Sequence, residues 1–172
     1  MKGIAIVIGS LLLFVAVGLQ AQAPGDVQAI NRLIDEYSRL EDVGDMQAQA
    51  KLMAEDRVWV AQNSGRMTDQ SQNMKRQQAN LDALKAAFPN VKWFTDARDR
   101  LIKFYANGAV AIASFYWYRL YVAPADMSPE KLEMLGSQPL PNAITLVLEK
   151  RGGNWIIVHT HTSNLTPPIQ TN

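Results

Sequence analysis

From Val27 onward, apolar side chains recur three and four positions apart: Val27, Ile30, Leu33, Ile34, Tyr37 and Leu40 fall on one face, with charged residues between them. That spacing predicts an amphipathic helix with Asp26 as its N-cap and Gly44 at its end. A second, shorter helix is expected over 45–54, capped by Asp45, with Met46, Ala50 and Met53 on one side. Arg57-Val58-Trp59-Val60-Ala61 is too short and too β-branched for another helix, so it reads as a strand closed by the turn residues Asn63-Ser64-Gly65. Thr68 or Asp69 then caps a third helix running to Phe88, where Pro89-Asn90 stops it. Its first half is polar, and only Met74, Leu81, Leu84 and Phe88 give it a thin apolar side.

Beyond residue 92 the helical period gives way to long β-rich runs. Residues 92–106 read as a strand, Asn107-Gly108 as a tight turn, and 109–122 as a second strand rich in aromatics that pairs antiparallel with the first. A Pro-punctuated insert over 124–141 holds an expected short helix at 129–135. A second hairpin, 143–150 with 154–162, turns about Gly152-Gly153, and the tail Thr166-Pro167-Pro168 cannot join a central strand. No internal repeat or linker divides the chain, so a single α+β domain is expected over 24–172.

The first 23 residues carry one charge, Lys2, then an apolar run ending in the small-residue motif Ala21-Gln22-Ala23, which is the pattern of a secretory signal peptide. Pro24 hinders a cut after Ala23, so cleavage after Ala21 competes, and an uncleaved membrane anchor is the alternative. The expected location is therefore periplasmic or secreted, with no membrane contact after cleavage.

Composition narrows the function classes. With 17 Lys and Arg against 16 Asp and Glu, the chain lacks the charge needed to hold nucleic acid or an anionic membrane. Its 48% apolar content excludes disorder, and the absence of cysteine excludes a disulfide or zinc-thiolate scaffold. Gly-x-Ser-x-Gly, His-Glu-x-x-His and phosphate-binding glycine loops are all missing, which argues against serine hydrolases, metalloproteases and nucleotide enzymes.

The candidate chemistry lies in a few polar side chains. His159 and His161, the two histidines, stand two apart on the last strand and share a face, a geometry open to metal ligation, to an acid/base pair, or to a structural or interface role. A transition metal would still need Asp, Glu or water as a third ligand, and neither metal nor cofactor is expected. Trp155 and Ile157 share the histidines' parity while Ile156 and Val158 oppose it, so alternation leaves their side open. Asp96, Arg98 and Arg100 are expected on one face of their strand, with Asp99 and Lys103 on the other. Arg98 is either a clamp for an anionic group or part of a solvated charged face. Arg119, mid-strand between Tyr118 and Leu120, is either a guanidinium in a pocket or an edge charge. Trp59, Tyr116 and Tyr118, with Trp93, Phe115 and Trp117, would suit either the lining of an apolar ligand site or a core and homodimer interface. The insert reads as a lid or as a cap on the sheet edge.

Helices first, then long antiparallel strands ending in a Trp-bearing strand, resemble the nuclear transport factor 2-like superfamily. Gly44-Asp45 and the run Trp155-Ile156-Ile157-Val158-His159-Thr160-His161-Thr162-Ser163 are similar to the SnoaL-like branch and to the association domain of calcium/calmodulin-dependent kinases. The resemblance implies a cone-shaped antiparallel sheet curved around the long first helix. It also implies, by analogy with the association domain, that the histidines face away from the cone while Val158, Thr160 and Thr162 line it. Tyr37, two helical turns before Gly44, matches the hydrogen-bond-donating tyrosine of the related ketosteroid isomerases. Their aspartates have no counterpart near Ala61-Gln62 or Leu146–Leu148, which argues against steroid-type proton shuttling. A core tyrosine is the plainer role for Tyr37. The superfamily hosts many activities. The expectation is an exported homodimer that binds a small, largely apolar molecule. The alternatives are a cyclase, isomerase or dehydratase using Tyr37 with His159 or His161, and a non-catalytic oligomerisation module.

Overall fold

The computed structural model of the chain describes residues 24–61, 65–136 and 140–165. The expected signal peptide and the Pro-rich tail lie outside them. Among the described residues, no helix is long and apolar enough to cross a membrane.

Helix α1 (Pro24–Val43) buries Ile30, Leu33, Ile34, Tyr37 and Leu40, the stripe its spacing predicts. Asp26 lies within its first turn rather than capping it. Its carboxylate instead accepts from Lys150 Nζ at 2.7 Å and Trp155 Nε1 at 3.1 Å, tying the start of the helix to the last hairpin. Gly44 ends the helix with φ 81°, a left-handed conformation that glycine takes without strain, and its amide returns to Leu40 O. Helix α2 (Met46–Ala50) is capped by Asp45 as expected but is shorter than its apolar spacing suggests. Lys51 and Leu52 turn the chain into strand β1 (Met53–Ala61), where Leu52 O accepts from Ile157 N at 3.0 Å. A short β2 (Gly65–Met67), which the sequence did not announce, pairs back on β1. Helix α3 (Gln70–Ala87) is capped by Asp69.

The remaining strands are β3 (Lys92–Tyr105), β4 (Val110–Val122), β5 (Asn142–Arg151) and β6 (Asn154–Asn164), with α4 (Pro129–Leu135) between β4 and β5. They form one six-stranded sheet in the order β2-β1-β6-β5-β4-β3. All neighbours pair antiparallel except β1 with β6. The sheet curves around α1. Ala97, Ala111 and Ala113 are buried and small, which lets the helix lie close against it, and Ile30, Ile34, Leu146, Leu148 and Ile157 complete the core.

Two bulges decide which side chains face α1. In β3 the register shifts between Arg98 and Leu101, with Asp99 at φ 53°. Arg98 points outward by alternation with the buried Ala97, and the bulge after it turns Arg100 to α1, where it donates to Asp35 at 2.6 Å and to Ala97 O at 3.0 Å. The expected common face of Asp96, Arg98 and Arg100 is thus broken at Arg100. In β6, His159 pairs with Val147 but Ile157 pairs with Leu148, leaving Val158 as the extra residue. Trp155 and Ile157 face inward before the bulge, Thr160 and Thr162 face inward after it, and His159 and His161 turn to the outer face.

Candidate functional site

Between α1, α3 and the inner face of the sheet lies a cavity of about 420 Å³, within the range of small-molecule sites. Helix α1 contributes Tyr37 and Glu41, one turn apart on the same buried stripe, and α3 contributes Gln77, Asn80, Leu81 and Leu84. The strands supply Trp59, Trp117, Arg119, Asn142, Ile144 and Thr162. Apolar rings and aliphatic groups make up much of the wall, and hydrogen-bonding groups are set among them. Among the described residues of the insert over 124–141, none lines the cavity.

Tyr37 packs edge-on against Trp117, with ring centroids 5.3 Å apart. Burial, with a smaller contribution from the Glu41 carboxylate, pushes its hydroxyl up to about 12, while the Arg57 guanidinium works the other way. Tyr37 is therefore a neutral hydrogen-bond donor at any physiological pH. In a spectrophotometric titration of the five tyrosines, one is expected to ionise last, near pH 12, and Tyr37→Phe should remove that phase. Five tyrosines ionising together near pH 10 would contradict this placement.

Two polar networks meet at Tyr37. In the first, Glu41 is 9% exposed and accepts from Arg119 and, at 3.1 Å, from Gln49 Nε2, which also donates to Tyr37 O at 3.0 Å. In the second, Arg57 is 1% exposed and donates from Nε to Gln70 Oε1 at 2.8 Å and from Nη1 to Thr160 Oγ1 at 3.2 Å. Burial lowers the Arg57 pKa. Asp42 faces β3, where Thr95 Oγ1 donates to it at 2.9 Å, and burial raises its carboxyl.

Of the sequence candidates, the structure brings Tyr37, Trp59 and Thr162 together on the cavity wall, with Trp59 Nε1 donating to Thr162 Oγ1 at 3.4 Å. Thr160 stands behind that wall on Arg57. Arg119 joins the wall through Glu41. Arg98, Tyr116 and Tyr118 do not join it. Arg98 pairs with Asp96 at 2.5 Å and lies over the Tyr118 ring on the outer face, where Tyr116 is 41% exposed. Val158, at the bulge, is absent from the lining as well. The sequence reading missed Glu41, Gln49, Arg57 and Gln70. A glutamate on the apolar stripe, one turn after Tyr37, and an arginine at the parity of Trp59 were the available signals.

Solved structures share this architecture. An NTF2-like protein with a cystatin-like fold from Novosphingobium aromaticivorans is 17% identical, the match covers 84% of this chain and 85% of that one, and the TM-score is 0.63. An NTF2-like protein from Pseudomonas putida is 15% identical over 88% and 95% of the two chains, with a TM-score of 0.65. ActVI-ORFA from Streptomyces coelicolor is 13% identical over 81% and 97%, with a TM-score of 0.63. The chain has the nuclear transport factor 2-like fold. No protein-family model and no curated protein matches the sequence. At these identities the fold alone is shared, and the chemistry of the site rests on this chain's own residues.

In this nuclear transport factor 2-like cone, Tyr37 and the histidines lie on opposite sides of the sheet, so no acid/base pair between them forms. Among the described residues, no group of three or more His, Cys, Asp or Glu is placed to hold a metal. Burial, His161 and Arg57 together hold the His159 imidazole below its usual pKa of 6.5. The unfolded chain therefore takes up a proton at His159 before the folded one does, and stability present above pH 6.5 is lost as pH falls below that value. Urea midpoints should drop between pH 7.5 and 5, and His159→Gln should make that drop smaller. An unchanged slope in the variant would contradict the assignment.

Proposed function

We propose that the chain is a SnoaL-like binding protein whose cone takes one small, largely apolar organic molecule, oriented by the Tyr37 hydroxyl. The observation that carries this reading is the cavity itself: Trp59, Trp117, Ile144, Leu81 and Leu84 offer apolar surface, and a neutral phenol donor stands among them. The signal-peptide pattern over residues 1–23 supports export to the periplasm or beyond. The outer sheet face, with Phe94, Leu101 and Tyr116 exposed, supports a homodimer. A cyclase, isomerase or dehydratase would keep Tyr37 as donor but would need a base other than the outward-facing histidines. A pure oligomerisation module would leave the cavity without a purpose.

Native mass spectrometry of the protein purified from its producing cells, followed by uptake of a set of small aromatic compounds, tests the reading. One adduct per chain is expected, and it should disappear in Thr162→Trp, which fills the cavity. A chain that takes up none of the compounds, or a Thr162→Trp variant that binds like the wild type, would overturn it.

A further inference from the structure

We infer that the ligand of the cone is an organic anion of the aromatic monocarboxylate class, its charge seated at the Tyr37 hydroxyl in the field of Arg57. This rests on the binding reading above and adds the charge of the ligand.

The starting point is an imbalance. Arg57 is fully buried, and among the described residues it forms no ion pair. Its Nε and Nη1 reach neutral acceptors, Gln70 and Thr160, the neutral Tyr37 hydroxyl also lies beside the guanidinium, and among the described residues no carboxylate faces the enclosed Nη2. A buried cation without a counter-charge is costly, and proteins ordinarily place a carboxylate beside it. Here the guanidinium stands directly behind the cavity wall. Its carbon lies 6.0 Å from the Trp59 ring centroid, and its charge acts on the Tyr37 hydroxyl, and both of those side chains line the cavity.

Glu41, the acidic lining residue, acts on the Tyr37 hydroxyl against Arg57, but its oxygens accept from Arg119 and Gln49, so one carboxylate and two guanidiniums leave a net positive charge around Tyr37. Asp42 is turned to Thr95 on β3 and is not part of the lining. At Tyr37 the cavity thus presents a phenol donor with a net positive charge around it. A carboxylate accepting from Tyr37 Oη supplies the missing charge there without having to displace Gln70 or Thr160 from Arg57. The aromatic part of the ligand follows from Trp59 and Trp117 beside Tyr37.

Isothermal titration with 2-naphthoate and with 2-naphthamide, nearly the same shape with and without the charge, tests the inference. Wild-type protein is expected to bind the naphthoate about 10- to 100-fold more tightly, the range of a charge-assisted hydrogen bond. Arg57→Met should abolish that preference, and Arg98→Met, on the outer face of the sheet, should keep it. Should Arg57→Met fail to fold, Tyr37→Phe reads the same seat: the preference should fall toward unity, and its persistence would overturn the assignment. Equal affinities in the wild type would overturn the charge and leave the binding reading standing. Binding of neither compound would remove both. A preference that survives Arg57→Met would overturn the role of Arg57.

Discussion

Deleting Thr160 is expected to abolish the native fold. Val158 is the extra residue where β6 shifts register against β5, so Trp155 and Ile157 face inward before the bulge and Thr160 and Thr162 after it. With Thr160 gone and the bulge kept, strand alternation brings His161 into the interior and turns Thr162 out of it; with the bulge given up, Thr162 stays inside but His159 takes the place of Thr160. Either way the buried Arg57 loses its Thr160 acceptor and an imidazole stands where a threonine now is. That is a large share of the roughly 5–15 kcal/mol by which a domain is stable. Circular dichroism during urea titration should show no cooperative transition for the deletion. Val158→Ala, which keeps the bulge, should cost only about 1 kcal/mol. A deletion variant that unfolds at the wild-type midpoint would contradict this account of the strand.

Trp117→Ala is expected to cost about 3–5 kcal/mol, the range for removing a large buried aromatic. Trp117 is 4% exposed at the meeting point of Tyr37, 5.3 Å away, and Phe115, 6.0 Å away, so its loss leaves a void that neither ring can fill. The void opens into the cavity, because Trp117 is also part of its wall. Trp117→Phe keeps the ring contact with Tyr37 and should cost clearly less. Urea denaturation separates the two: the alanine midpoint should fall by well over that of phenylalanine, with the m-value unchanged. Equal midpoints would mean that the wall bears little of the core's packing.

Much of this architecture is legible in the sequence, and where it is not the reason is physical. The stripe from Ile30 to Leu40 is periodic over enough turns that only one face can be buried, so α1 and its inward Tyr37 follow from spacing. The hairpin glycines and the aromatic run likewise place β3 to β6. Strand faces are a different matter. Alternation predicts them only where the register is continuous, and the bulges at Asp99 and Val158 each reverse it without a distinctive residue to mark the place. That is why the histidines' side stayed open until the structure placed them, whereas Arg98, Tyr116 and Tyr118 lie outside by unbroken alternation with the buried Ala97, Phe115 and Trp117, and suited a pocket by residue type alone. Arg57 and Gln70 were missed for another reason. Their partnership spans different elements, and a buried arginine announces itself only through what surrounds it.

The most direct test of the central claim, that the cone interior at Tyr37 is where a ligand sits, is a nuclear magnetic resonance titration of the four tryptophan indole N–H signals with 2-naphthoate. Trp59 and Trp117 line the cavity, whereas Trp93 stacks on Tyr121 and Trp155 packs on Phe104 and Asp26, away from it. The Trp59 and Trp117 signals should move together and saturate at one equivalent, with those of Trp93 and Trp155 nearly still. Saturable movement of Trp93 or Trp155 alone, or no movement of any of the four, would contradict it.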